Sequence, residues 1–185
     1  TLRNARGEFH PDPFYAANFV KKAGADSITI HLREDKRHIK DSDAKKICSH
    51  KKILVNLEIS TNSIIVKTAL KIKPNFICIV PENRKEVTTE GGLNLFRNKS
   101  QIKKIILSLK KKKIRTSLFI NPSTRDIKIS KDLDADCIEI HTGKLANLVK
   151  SNKNYNNELK KIKKCSILAY KLGLEVHAGH GLDYK

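Results

Sequence analysis

A chain of 185 residues with 39% hydrophobic residues, 8 Gly and 5 Pro has the length and composition of one globular domain over residues 1–185. No apolar run reaches the ~20 residues of a membrane span, and nothing resembles a cleavable signal, so a membrane partner is not expected. The formal charge of +19 invites a nucleic-acid reading, but 30 of the 38 basic residues are Lys, occurring in scattered doublets along helical segments, and aromatics make up only 5%; with few stacking residues and no nucleic-acid-binding motif, that class is the weaker reading.

In chain order, short β-rich runs alternate with helical patterns: "SITIHL" (27–32), "ILVNLEI" (53–59), "FICIVP" (76–81), "IRTSLFI" (114–120), "DCIEIH" (136–141) and "LEVHAG" (174–179). Between them, apolar residues recur at helical spacing, as in Ile102, Ile105, Ile106 and Leu109, or Leu159, Ile162, Ile167 and Leu168. Gly24 and Gly173 stand just before strands, where a helix C-cap needs them. Such alternation predicts an α/β protein with a parallel sheet. No Gly-x-Gly-x-x-Gly turn opens the first helix, which argues against a dinucleotide-binding fold.

Each run turns polar at its C-terminal end: His31, Glu58, Pro81 with Glu82, Asn121 with Pro122, His141-Thr142-Gly143 and His180-Gly181. A (β/α)8 TIM barrel gathers its chemistry at those ends. Six of the eight strands are visible, so the expectation is a barrel incomplete at both ends, with strand 1 before Thr1 and strand 8 after Lys185. Residues two apart share a strand face. That rule aligns Thr29 with His31, Asn56 with Glu58 and Glu139 with His141, and turns Ile28, Ile30, Leu57, Ile138 and Ile140 the other way.

The four cysteines (Cys48, Cys78, Cys137, Cys165) are widely spaced and mostly lie in apolar runs, the pattern of reduced core thiols in a cytosolic protein. Arginines instead crowd loop-like stretches (Arg3, Arg6, Arg33, Arg37, Arg84, Arg125), where planar guanidinium groups suit small phosphorylated ligands. His31 beside Arg33 and His38 reads as an acid or base next to an anion site. Glu58, ending an apolar strand, requires a partner or a raised pKa. "VTTEGGLN" (87–94) supplies hydroxyls and glycines for a phosphate nest, and Gly181 after the "HAGHGL" strand end offers a backbone N–H. A metal ringed by His31, His141, His177, His180, Glu58 and Glu139 is a weaker alternative, because His-x-x-His on a strand end does not aim both rings at one centre.

In order and spacing, "TLRNARGEFHPDP", "AGADSITIHLREDKRHI", "VNLEIS", "VPENRKEVTTEGGLN", "SLFINP", "IEIHTG" and "HAGHGLDY" resemble the pyridoxine 5'-phosphate synthase family of vitamin B6 biosynthesis, over essentially the whole chain. The resemblance implies a cytoplasmic (β/α)8 barrel, assembled as a homo-octamer, that uses no metal or organic cofactor. It joins 3-amino-2-oxopropyl phosphate to 1-deoxy-D-xylulose 5-phosphate with loss of water and inorganic phosphate. By the same resemblance His31 and Glu58 accept protons, His180 donates one and Glu139 stabilises charged intermediates. Arg33, His38 and Thr88 would then hold the deoxyxylulose phosphate, and Arg6 and Gly181 the amino-oxopropyl phosphate, while His141 and His177 play supporting parts. Ile59 departs from the family's usual Met and Asn121 from a common acid. The rival readings are another phosphate-binding barrel using a metal or a lysine Schiff base, and a basic nucleic-acid-binding protein.

Overall fold

The computed structural model describes residues 10–82 and 91–183. In chain order these form α1 (Pro13–Lys22), β1 (Ser27–His31), α2 (Asp41–Cys48), β2 (Leu54–Ile59), α3 (Ser63–Ile72), β3 (Phe76–Ile79), α4 (Lys99–Lys110), β4 (Arg115–Ile120), α5 (Thr124–Asp132), β5 (Cys137–His141), α6 (Gly143–Lys150), α7 (Asn156–Lys171) and β6 (Glu175–Gly179). All six strands run parallel in the order β1-β2-β3-β4-β5-β6, so among the described residues β1 and β6 are the edges of an open, barrel-like sheet. The strands are one or two residues shorter than the β-rich runs suggest, because the flanking Leu32, Val80 and Pro81 already belong to the turns.

Local signals start the helices. Asp12 Oδ1 accepts the Phe14 N–H at 2.7 Å with Pro13 at the first helical position, Asn62 Oδ1 accepts the Ile64 N–H at 2.8 Å, and Ser123 Oγ accepts the Asp126 N–H at 3.3 Å. Gly24 (φ +105°) and Gly173 (φ +74°) turn the chain from helix to strand at the two expected positions. Strand starts are secured from the side: Asn75 Oδ1 accepts the Val55 N–H at 2.9 Å and Asp136 Oδ2 the Thr116 N–H at 2.8 Å.

The strand faces divide as the two-residue period requires. Val55, Leu57, Ile59, Ile77, Ile79, Leu118, Ile120, Ile138 and Ile140 are buried on the outer face. There all but Val55 form the core with helix residues such as Ile65, Ala69, Ile102, Ile106, Leu109, Ile127, Ile162 and Ala169, while Val55 packs with Ala17, Ile47 and Ile53. One helical expectation is corrected: Ile167 is 56% exposed, and α7 packs with Ile162, Cys165 and Ala169 instead. A buried cysteine supplies the apolar surface that the Leu/Ile pattern assigned to Ile167. None of the four thiols is bonded to another. No helix among the described residues is long and apolar enough to cross a membrane.

Candidate active site

Because the outer face holds the core, the inner face is free to be polar, and the C-terminal strand ends converge on one cavity of about 620 Å³. His31 comes from the end of β1, Glu58 from β2, Val80 from just past β3, Phe119 from β4, Glu139 from β5 and His180 from just past β6, with His38 and Ile39 from the β1–α2 connection. All four residues expected to carry catalysis, His31, Glu58, Glu139 and His180, thus line the same space.

His31 and Glu58 are register partners on adjacent strands, and His31 Nδ1 stands 3.5 Å from Glu58 Oε2. Burial, reinforced by the facing Glu139 carboxylate, pushes the Glu58 carboxyl up to about 7. Burial also pushes His31 down to about 3, helped by His38, whose ring lies 5.3 Å away, and by the Arg33 guanidinium. His38 is lowered to about 4, first by burial and then by surrounding positive charge including Arg33. Near neutral pH the site therefore offers neutral imidazoles beside a carboxyl poised between its two states, as exchange of protons with a substrate demands. The Nε2 atoms of His31 and His38 are buried with no hydrogen-bond partner among the described residues.

These shifts set a pH dependence. The His31 pKa is depressed from 6.5 to about 3, so its contribution to stability is complete above pH 6.5 and is lost as pH falls toward 3. Glu58, raised from 4.5 to about 7, acts oppositely: its contribution is complete below pH 4.5 and lost as pH rises through 7. Urea midpoints measured from pH 7 to 4 are expected to fall less steeply on acidification in His31→Gln than in the unsubstituted protein. Parallel curves would show that the imidazole is not held neutral by the fold.

The loops after β1, β2 and β3 are tied together by carboxylates. Arg33 is 1% exposed, with Nε 3.5 Å from Asp35 Oδ1 and 3.8 Å from Glu82 Oε1. Glu82 Oε1 also accepts the Glu34 N–H at 2.9 Å, and Glu34 Oε1 accepts the Ser60 hydroxyl at 2.9 Å. Arg33 follows the cavity-lining His31 by two residues but is not itself among the lining residues, and its head group is packed among acids. Glu82 is the participant that sequence reasoning passed over. Its position at a strand end was visible, but its partners lie 48 residues back in the chain.

At the other rim, the Thr142 N–H and hydroxyl both donate to the Gly179 carbonyl, at 2.9 and 2.6 Å, and the hydroxyl lies 2.8 Å from the His180 carbonyl oxygen. That grip holds His180 at φ +82°, a left-handed conformation uncommon outside glycine, and Gly181 follows at φ +77°. The His180 ring lies 5.0 Å from that of His141, and Phe119 stands edge-on to both, at 6.2 and 5.2 Å. Burial and His180 lower the His141 pKa. Phe119 also escaped the sequence reading, although strand parity places it on the inner face two residues past Ser117.

Arg6 and Thr88 lie outside the described residues, as do Arg84 and the first half of the "VTTEGGLN" stretch. Its second half is placed against the end of β4, where the Gly92 N–H donates to Asn121 Oδ1 at 3.1 Å and the Leu93 N–H to the Phe119 carbonyl at 2.8 Å. The histidine and carboxylate ring considered for a metal does not converge. His177 lines a neighbouring cavity of the sheet interior that shares Ser27, Thr29 and Glu139 with the first, and is 48% exposed and hydrogen-bonded to Glu175 at 2.8 Å. Among the described residues the one trio of potential ligands, Cys137, Glu175 and His177, is there, and the Arg115 guanidinium already pairs with Glu175 and lies 3.7 Å from Cys137 Sγ.

The model of the family described as "Pyridoxal phosphate biosynthesis protein PdxJ" matches residues 1–185. The chain belongs to the PdxJ family. A relative from Pelagibacter ubique, named pyridoxine 5'-phosphate synthase, is 68% identical over 185 residues, covering 100% of this chain and 77% of its own length. Another of that name, from Blochmanniella pennsylvanica, is 45% identical over 184 residues, covering 100% of this chain and 75% of itself. The chain thus spans about three quarters of these PdxJ relatives, and membership makes it an enzyme sequence of pyridoxine biosynthesis. Solved structures share the fold alone. D-psicose 3-epimerase from Clostridium cellulolyticum aligns with a TM-score of 0.56 at 12% identity, over 95% of this chain and 70% of that one. HMG-CoA lyase from Bacillus subtilis aligns at 0.54 and 14%, over 90% and 68%.

Proposed function

We propose that this enzyme condenses 3-amino-2-oxopropyl phosphate with 1-deoxy-D-xylulose 5-phosphate, forming pyridoxine 5'-phosphate and releasing inorganic phosphate and water. The observation that carries the reading is the convergence of the neutral His31 imidazole, the Glu58 carboxyl at about 7, Glu139 and His180 on one cavity. Ring closure requires protons to leave and reach different carbons in turn, which calls for several groups of graded acidity round one space. His31 and Glu58 accept protons, His180 donates one to a departing oxygen, and Glu139 steadies positive charge as it develops. No lysine is among the described residues lining the cavity, which favours imine formation by the substrate's own amine over an enzyme Schiff base.

On this reading Arg33 and His38, with Thr88, take the phosphate of the deoxyxylulose substrate, and Gly181, with Arg6, takes the other. The reading extends to a cytoplasmic homo-octamer working without metal or organic cofactor. The test is to supply the two phosphorylated substrates together and follow pyridoxine 5'-phosphate and free phosphate. Equal appearance of both, undiminished by a chelator and without an adduct trapped by borohydride, is expected. Loss of turnover with chelator, or a trapped protein adduct, would transfer the assignment to the metal or Schiff-base alternative.

A further inference from the structure

Cys78 is wholly buried on β3, yet its side chain points to the inner face, among the reactive groups rather than into the core behind the sheet. Its register neighbours are Glu58 on β2 and Ser117 on β4. Its Sγ donates to Glu139 Oε2 at 3.7 Å, reaching across β4 to a residue of β5. On the far side, a Cβ built on Gly179 of β6 would overlap Glu139 Oε1. The Glu139 carboxyl therefore lies between a thiol and a bare Cα. We propose that Cys78 is a positioning residue for the reaction, seating the Glu139 carboxyl across the cavity from Glu58, with Gly179 leaving the space that this placement needs.

The inference rests on the function proposed above. The charged and titratable groups facing Glu139 are Glu58 from β2, Cys78 from β3, His177 from β6 and His180 just beyond it. Burial, with Glu139 and Glu58 close by, keeps the thiol protonated and hence a donor. Burial pushes the Glu139 carboxyl up, and the S–H contact opposes that rise. A thiol present only as core filling would affect stability and leave the acid–base behaviour of Glu139 alone.

The test follows the Glu139 carboxyl by carbon-13 NMR or difference infrared titration, alongside kcat as a function of pH, in Cys78→Ala, Cys78→Ser and Gly179→Ala. Loss of the donor in Cys78→Ala is expected to move the Glu139 titration up by roughly half a unit to one unit. The acid limb of kcat should move with it, while Cys78→Ser, which keeps a donor, restores both. Gly179→Ala displaces the carboxyl with the thiol intact and is expected to give the same upward movement, even where Cys78→Ala does not fold. An unchanged Glu139 titration in Cys78→Ala, or in Gly179→Ala if the alanine variant does not fold, would overturn the inference whatever happens to stability. Absence of turnover in the unsubstituted enzyme would instead defeat the proposed function, and the titration would still decide the role of Cys78.

Discussion

Glutamine in place of Glu58 is expected to lower turnover by about 10²- to 10⁴-fold, the usual worth of one positioned acid or base. The amide keeps the shape of the carboxyl but neither takes nor gives a proton at neutral pH. Since burial already favours the protonated form of Glu58, little folding energy should be lost. Affinity for the phosphorylated substrates should also survive, because Glu58 lies on the strand and the proposed anion-holding groups lie on the loops beyond it. Steady-state kinetics combined with calorimetric titration of 1-deoxy-D-xylulose 5-phosphate separates the two quantities. Unchanged kcat would remove Glu58 from the proton-transfer steps.

Glu82→Ala should act through binding instead. Its carboxylate touches both the Arg33 guanidinium and the Glu34 backbone, so truncation releases the β1 loop from the β3 end at two points. Losing a buried hydrogen bond to a charged group costs on the order of 1.5–3 kcal/mol. If most of that falls on the loop's bound geometry, KM for 1-deoxy-D-xylulose 5-phosphate should rise about 10- to 100-fold. The predicted fall in kcat is much smaller, since His31 and Glu58 stay fixed by strand pairing. Glu82→Gln, which retains an acceptor for the Glu34 N–H, should lie between. A kcat loss equal to the KM change would place Glu82 in the chemistry rather than in the loop.

Much of this architecture could be read before any coordinates, for a local reason. Strand parity depends only on residues two apart, so Thr29, His31, Asn56, Glu58, Glu139 and His141 could be put on one face from the sequence, and the register pairs His31 with Glu58. The helix starts at Asp12, Asn62 and Ser123 are equally local. What escaped depends on distant contacts. Cys78 looks like core filling in "FICIV", and its relation to Glu139 spans 61 positions. Arg33 reads as an anion-site residue from its loop, and its packing against Glu82, 49 residues further along, leaves no mark near "HLRED". Ile167 fitted the helical period and still faces outward, because α7 presents Cys165 and Ala169 to the sheet at that level.

The division of each strand into an apolar back and a reactive front has an evolutionary corollary. Cohesion resides in one set of alternating positions and chemistry in the other, so drift in the second need not loosen the first. Substitutions on the reactive front can retune the chemistry while the girdle of Ile, Leu and Val stays as it is. That an epimerase and a lyase share this fold at only 12–14% identity accords with an outline that does not depend on the reactive face.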